Sequence, residues 1–391
     1  MFHTATEQDV VRGDITDVYF TRTVEILRKN NINKKVKAEL AVKSLPENYH
    51  WGILAGTEEF LALIERLNLP LNVRAVREGT LFRIHQPVIE IEGRYLDFCI
   101  YETAFLGLLC QASGIVTRAA RCVDAARGKP VVCFGARRIH PIIAPLVERY
   151  AYLGGCEGVA GVKSASELGI EPSGTMPHAL ILLYGDTVEA TRAFYDSFGH
   201  RVNIISLVDT FNDEKFEAIR VAEALGDKVS ALRLDTPASR KGSLLDILRE
   251  IRWELDLRGH KNIRLFLSGG LTEESIRELN ELADGYGVGT HISNAPTLDF
   301  SLDIVEIEGT PIAKKGKRSG SKSFFRCSAC QQEVVRAYQA PPPRCECGGE
   351  FVELLQTAIQ KGKLTSEGRL SIEDFEGNRE YIKTQVKAIH I

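Results

Sequence analysis

The 391-residue sequence predicts an α/β protein: a parallel α/β sheet or barrel, an N-terminal α+β layer and a small C-terminal cysteine module. Three observations predict this. From about residue 130, apolar β-branched runs near Val131, Gly158, Ala179, Val202, Val229, Ile263, Tyr286 and Leu302 alternate with helical stretches. Their spacing of roughly 20–35 residues is that of βα units. The runs are continuous rather than alternating, which a parallel sheet covered on both faces requires. Finally, Cys327, Cys330, Cys345 and Cys347 cluster far from the other five cysteines. The boundaries read 1–115 for the N-terminal layer, 116–307 for the barrel, 308–323 for a linker, and 324–391 for the C-terminal segment, with its cysteine module at 324–350.

Composition sets the outer limits. An apolar fraction of 44% and a charged fraction of 26% are those of a soluble globular chain. A net charge of −3 leaves no basic excess for wholesale neutralisation of nucleic-acid phosphates. Apolar runs such as 104–110 and 142–147 fall short of the ~20 residues a membrane span needs. Glu7, Asp9 and Asp14 are unlike a signal peptide, so a cytoplasmic protein is expected.

Taken in order, Asp14 or Thr16 offers an N-cap, with Tyr19 and Phe20 expected in the core of the helix that follows. Residues 36–42, 71–76 and 87–91 read as strands around a helix at 57–67, whose Phe60, Leu63, Ile64 and Leu67 share one face and whose first turn holds Glu58 and Glu59. Residues 102–127 form a helical segment interrupted at Gly114, with Arg118, Arg121 and Arg127 on a solvated face. Residues 179–184 read as a strand with His178 at its mouth. Helices follow at 214–225, 244–258 and 273–283, the first closing on Gly226 and the last capped by Thr272. The polar, basic stretch 308–323 reads as a loop, and a short helix is expected near 350–360.

The chemistry gathers at strand ends. Val131-Val-Cys-Phe134 runs into Gly135 and then Arg137-Arg138, an aromatic ring beside two cations that could hold a flat anion. Asp209-Thr210, Arg233 and Asp235, Ser268-Gly269-Gly270 and Gly287-Val-Gly289-Thr290 end later strands. Aspartates converging there can bind Mg²⁺ or sugar hydroxyls, and glycine turns offer N–H groups to phosphate. Four such ends in one register point to a single site. His178, in Ser173-Gly-Thr175-Met-Pro-His178, reads as a capped structural residue or as an imidazole that accepts a proton or phosphoryl group. The spacing C-x₂-C, fourteen residues, C-x-C is that of a structural Cys₄ zinc site.

The set Asp14-Ile-Thr-Asp-Val-Tyr19, Ser113-Gly-Ile-Val-Thr117, Phe134-Gly-Ala-Arg-Arg138, Gly174-Thr-Met-Pro-His178, Leu207-Val-Asp-Thr210, Arg233-Leu-Asp235, Ser268-Gly-Gly270 and Gly287-Val-Gly-Thr290 resembles the nicotinate phosphoribosyltransferases, in one superfamily with the quinolinate and nicotinamide enzymes. The resemblance runs from about Asp14 to about Lys315 and implies an irregular α/β barrel behind an N-terminal α+β open-sandwich layer. It implies transfer of phosphoribose from 5-phosphoribosyl-1-pyrophosphate to nicotinate in NAD biosynthesis, with Mg²⁺ on the pyrophosphate. It further implies a homodimer with shared active sites, or a higher homo-oligomer, in which the pyridine ring stacks between Phe134 and Tyr19 of a second copy. Asp209 and Asp235 then become ribose and metal contacts, and Arg137 and Arg138 phosphate ligands, with Arg118 and Lys163 as further basic candidates. Thr175, Arg233 and Ser268 fall among the substrate-binding positions, Gly269, Gly270, Gly289 and Thr290 at the 5′-phosphate. His178 matches the histidine that ATP phosphorylates in ATP-coupled members. The zinc module is not general in the family, and Thr236-Pro237 stands where Ser-Gly-Asp is usual.

Two alternatives accompany this reading. Ser268-Gly-Gly-Leu271 and Arg137-Arg-Ile-His-Pro141 have a quinolinate-enzyme form, which implies a decarboxylating reaction. The basic run Lys314-Lys-Gly-Lys-Arg318 beside the cysteines suits a zinc-ribbon nucleic-acid binder.

Overall fold

The computed structural model describes residues 2–46, 49–236 and 243–389. Among them the chain divides into two compact units, one of residues 1–117 with 296–391 and one of 118–295. In chain order, the first part of unit 1 carries α1 (Glu7–Arg12), α2 (Val18–Lys29), β1 (Lys35–Val42), β2 (Gly52–Ile53), α3 (Thr57–Leu67), β3 (Asn72–Ala75), β4 (Leu81–Phe82), β5 (Ile89–Arg94) and α4 (Tyr95–Phe98). Helix α5 (Glu102–Ala125) runs from the end of that part into unit 2. Unit 2 continues with β6 (Val131–Cys133), α6 (Ala144–Leu153), β7 (Gly158–Val159), α7 (Val162–Leu168), α8 (His178–Tyr184), α9 (Thr187–Phe198), β8 (Ile205–Leu207), α10 (Glu214–Leu225), β9 (Ala231–Leu234), α11 (Leu244–Leu257), β10 (Arg264–Leu267), α12 (Glu273–Leu279), β11 (Gly285–Val288) and α13 (Thr290–Ser293). The chain then returns to unit 1 through β12 (Phe300–Ile307), β13 (Thr310–Pro311), β14 (Lys322–Cys327), β15 (Glu333–Ala337), β16 (Phe351–Glu353), β17 (Gln356–Gln360), β18 (Lys363–Leu364), α14 (Ser366–Glu373) and α15 (Phe375–Ala388).

Unit 2 is the half-barrel. Its six strands lie in the order β7-β6-β11-β10-β9-β8, and every pair is parallel. Parallel pairing brings all carboxyl ends to one edge, so residues 134, 160, 208, 235, 268 and 289 follow strands that end together. Period two then sorts the side chains. Val132, Ala231 and Phe266 cluster on one face with Phe134 and Ile205 against them.

Unit 1 holds a seven-stranded antiparallel sheet in the order β13-β12-β1-β5-β3-β17-β18. Helix α3 and the first half of α5 cover it: Phe60, Leu61, Ile64, Phe105 and Leu109 are fully buried. The helical stretch Tyr95–Ala125 is long and apolar enough by composition to cross a bilayer, but 56% of its apolar window is buried inside the fold. It is a core helix.

Several expectations are corrected. The six apolar residues after His178 are helix α8, because Met176, Ile181, Ala190 and Leu207 form one cluster that a helical turn can fill. The strand at Leu302 leaves the parallel array and pairs antiparallel with β1 in unit 1. Residues 308–323 contain β13 and the start of β14, both hydrogen-bonded into sheets. Residues 350–360 are two strands rather than a helix: β16 pairs with β14, and β17 pairs with β3. Helix α5 passes Gly114 without a break. The N-cap of α2 is Asp17, whose Oδ2 and N–H both bond Thr103 Oγ1 at 3.0 Å. Of the aromatic pair behind it, Phe20 is buried at 5% exposure, while Tyr19 stands 56% exposed.

Candidate active site

The residues on the inner face of unit 2 form a closed polar cluster around Arg233. Its Nε donates to Ser268 Oγ at 2.8 Å, its Nη1 donates to Thr175 Oγ1 at 2.7 Å, and its Nη2 lies 3.1 Å from Asp235 Oδ2. Ser268 Oγ in turn donates to Asp235 Oδ1 at 2.7 Å. The fork geometry of a guanidinium, with five donors in one plane, is what allows one side chain to hold three partners. The register places them there: Arg233 sits opposite Phe266 across β9 and β10, two strand residues from Ala231 and so on the same face.

Above this cluster lies the aromatic element. The Phe134 ring has the Arg233 guanidinium carbon 5.3 Å from its centroid, and the Phe266 ring 6.2 Å away at 45°. Phe134 extends β6, its N–H donating to Val288 O at 2.8 Å. A ring backed by a cation on one side presents an electron-depleted surface that suits an anionic π-system. Phe266 was not singled out by sequence reasoning; its position two residues before Ser268, at the strand period, was the signal.

A second pair lies at the end of β8. His178, the first residue of α8, places Nε2 3.3 Å from Asp209 Oδ1. The Asp209 side chain is 3% exposed, and Oδ1 makes no hydrogen bond among the described residues. Burial pushes this carboxyl above the usual Asp range; His178 pulls it back, and Asp235 pushes it further up. Two carboxylates that repel each other, one of them nearly buried, are a hard-oxygen donor set that a divalent cation fits. Thr236 Oγ1 donates to Glu214 Oε1 at 3.0 Å, whereas Pro237 lies outside the described residues.

The remaining predicted residues fall in place less tightly. Arg137 and Arg138 occupy an exposed 3₁₀ turn directly after Phe134 and Gly135. Gly269 and Gly270 take φ of +90° and +68°, a left-handed turn that only glycine adopts without strain. Gly289 precedes Thr290, the first residue of α13. Lys163 is on the surface, paired with Glu167 at 2.9 Å. The predicted solvated basic face of α5 is corrected at two of its three arginines, while Arg127 is exposed: Arg118 is 5% exposed with Nη1 2.8 Å from His291 Nε2, and Arg121 makes a bidentate pair with Glu273 at 2.7 and 2.9 Å. Tyr19 belongs to unit 1 and is not among the residues this cluster gathers.

Unit 1 carries the cysteine cluster. The ligand atoms of Cys327, Cys330, Cys345 and Cys347 lie within 4.8 Å of one another, with Cys327–Cys347 at 3.5 Å and Cys330–Cys345 at 3.4 Å. Tetrahedral zinc with Zn–S of about 2.3 Å separates its sulfurs by about 3.8 Å, so the four fit such an ion. The Cys330 N–H holds the Cys327 thiol down at about 6. The Cβ of any residue replacing Gly349 would lie 2.7 Å from Cys327 Sγ, which is why the second knuckle closes on glycine. The module is tied to its own unit by Arg326, which donates to Leu81 O and Gln385 Oε1 and pairs with Glu333 at 2.8 Å. In the adjacent basic run Lys314 and Lys317 both pair with Asp303, and the Lys317 side chain is 5% exposed, while Lys315 and Arg318 are exposed.

The chain is similar to known phosphoribosyltransferases. Family models for the quinolinate phosphoribosyl transferase N-terminal and C-terminal domains match residues 17–113 and 115–303. The nicotinate phosphoribosyltransferase pncB1 of Mycobacterium tuberculosis is 30% identical over 376 residues, covering 84% of this chain and 82% of its own. The Bacillus subtilis nicotinate phosphoribosyltransferase is 26% identical over 330 residues, covering 75% and 66%. Among solved structures, a nicotinate-nucleotide pyrophosphorylase from Pyrococcus furiosus superposes with TM-score 0.95 at 47% identity, covering 100% of this chain and 99% of that one. Human nicotinic acid phosphoribosyltransferase shares the fold, with TM-score 0.73 at 19% identity over 96% and 94% of the two chains.

Proposed function

The chain belongs to the nicotinate phosphoribosyltransferases, and from that premise we propose that it joins nicotinate to 5-phosphoribosyl-1-pyrophosphate, giving nicotinate mononucleotide and pyrophosphate in NAD biosynthesis. The observation that carries the reading is the single inner face holding Phe134, Arg233, Asp235 and Ser268 at the ends of three parallel strands. In this reading the pyridine ring lies on Phe134, with Tyr19 of a second copy opposite, so that a homodimer shares its sites. The pyridine nitrogen attacks the ribose C1′ as the bond to pyrophosphate breaks, and the electron pair of that bond leaves with the pyrophosphate. The ribose passes through a cationic, oxocarbenium-like state. Asp235 and Asp209 stabilise that charge from the ribose side, and their oxygens would hold Mg²⁺. Bound there, Mg²⁺ supplies charge neutralisation for the departing pyrophosphate.

Arg137 and Arg138 are assigned to phosphate or pyrophosphate, and the Gly269-Gly270 and Gly289-Thr290 backbone to the 5′-phosphate. Thr175 and Ser268 hold Arg233 and, through it, order the ring-binding surface. His178 accepts the γ-phosphoryl of ATP as ADP leaves, and hydrolysis of the resulting phosphohistidine to inorganic phosphate drives synthesis forward. Asp209 beside Nε2 orients the imidazole and leaves Nδ1 as the attacking nitrogen. The Cys₄ cluster holds zinc in a structural role.

The test supplies purified protein with phosphoribosyl pyrophosphate, Mg²⁺ and nicotinate, nicotinamide or quinolinate, with and without ATP. Turnover of nicotinate, raised by ATP, is expected. Turnover of quinolinate with CO₂ release and none of nicotinate would overturn the reading.

A further inference from the structure

Strand β11 and the residue after it read Gly285-Tyr-Gly287-Val-Gly289, so the strand period puts all three glycines on one face and Tyr286 and Val288 on the other. Tyr286 and Val288 are both fully buried, as expected of the face that packs on helices. The opposite face has no side chains at all. It is the face on which the aromatic element lies. A Cβ built on Gly287 would sit 2.2 Å from Phe134 Cε2, 2.4 Å from Cδ2 and 3.2 Å from Cζ. On Gly285 it would sit 2.8 Å from Phe266 Cδ2 and 3.1 Å from Pro130 Cγ. On Gly289 the nearest atom is Phe134 O at 3.3 Å. The stripe therefore has a graded job: the middle glycine is the one against which the Phe134 ring rests edge-on.

None of this is required for β11 to be a strand. Interior glycine weakens a strand and leaves nothing to pack, and three at alternate positions compound the loss. Nor does φ require it at Gly287, which is paired with Val132 in ordinary parallel register. What the stripe provides is room. With Gly287 bare, the Phe134 ring sinks to the level of the sheet backbone, and the space on its open side is left for a substrate ring.

We propose that Gly287 is a positioning residue for ring binding: it sets the depth of Phe134 in the half-barrel and so determines whether a flat pyridine carboxylate fits above it. The proposal rests on the nicotinate reading for the identity of that ring. It assigns Gly287 a role different from the phosphate contact that its motif, Gly287-Val-Gly-Thr290, first indicates. Any side chain at 287 lifts the Phe134 ring by more than an ångström into the substrate's volume, and displacements of that size at a reacting centre cost about 10²-fold.

The experiment is a double-mutant cycle on Gly287→Ala and Phe134→Ala, reading nicotinate KM, phosphoribosyl pyrophosphate KM, kcat and melting temperature. In the native background, Gly287→Ala is expected to raise nicotinate KM by at least about tenfold and to leave phosphoribosyl pyrophosphate KM within about twofold. In the Phe134→Ala background the same substitution is expected to change nicotinate kcat/KM and melting temperature by less than about twofold and about 1 °C. Equal effects in the two backgrounds, or an equal rise in both KM values, would overturn the proposal. Should Gly287→Ala alone fail to fold, a folded double variant supports the ring as the obstacle, and an unfolded one overturns it. The native enzyme separates the two readings: if it does not turn over nicotinate the functional proposal fails, while coupling in melting temperature still reports on Gly287.

Discussion

The Arg233 cluster and the Cys₄ cluster are both compact sets of polar groups, but they are assembled by different means. The four cysteines come from two tight turns within twenty-one residues, so their spacing alone announces them. The Arg233 cluster draws Phe134, Thr175, Arg233, Asp235 and Ser268 from parallel strand ends and a loop separated by helices. It exists only after the sheet has registered its strands. Holding a structural metal, the first cluster would stabilise the fold it sits in; the second has no meaning apart from its fold. The difference between them predicts that a locally encoded site can be lost without altering chemistry elsewhere, whereas a site encoded by register fails at any of its members.

Four outcomes sharpen that contrast. The largest is expected from Arg233→Lys, which keeps the charge but removes the fork that bonds Ser268, Thr175 and Asp235; steady-state kinetics should show kcat/KM down by about 10²–10³-fold. A loss below tenfold would mean that charge alone suffices. Next, removing the metal with a chelator, or Cys327→Ser, is expected to lower stability by about 3 kcal/mol while nicotinate KM stays within about twofold. Calorimetry paired with kinetics reads both, and a selective loss of turnover at unchanged melting would attach the module to the reaction. Third, His178→Ala should abolish ATP stimulation and phosphoenzyme formation but leave some ATP-independent synthesis, measurable with labelled ATP.

The smallest is a pH effect in unit 1. Glu78 is fully buried and takes the Gly56 and Thr57 N–H groups at 3.0 and 2.8 Å, yet burial pushes its carboxyl up to about 7 from 4.5. A folded value above the unfolded one means the native state binds the extra proton. The contribution is present in full below about 4.5 and is lost as pH rises through about 7. Melting followed from pH 4.5 to 7.5 should show this downward component flattened in Glu78→Gln; an unchanged slope would assign it to other groups, of which Glu102, also raised to about 7 by burial, is the first candidate.

Much of this architecture was legible in the sequence, for physical reasons that also mark where legibility stopped. Helices 57–67 and 214–225 were recognised to the residue because an amphipathic stripe and a terminal signal coincide there. Residues 179–184 were misread because a six-residue apolar run carries no period that separates helix from buried strand. The strands at 351–353 and 356–360 were misread because what makes them strands is pairing with β14 and with β3, the latter about 280 residues upstream in the chain. The site residues were visible one by one as polar strand ends. That Thr175 and Ser268 bond Arg233 rather than stand open was not, since hydrogen-bond saturation is decided by register and rotamer. That Gly287 faces the Phe134 ring was not legible either, since sequence shows that a side chain is missing and not what fills its place.

The pairing of β17 with β3 has a consequence for the chain during its own synthesis. Until residues 356–360 emerge, β3 has β5 on one side and an unpaired row of N–H and C=O groups on the other. Unit 1 thus waits, with an adhesive edge exposed, through the translation of all of unit 2 and the cysteine module. At about 5–20 residues per second that interval is of the order of tens of seconds. A ribosome stalled before residue 356 would release a chain whose half-barrel can close but whose other sheet invites pairing with any neighbour in the same state.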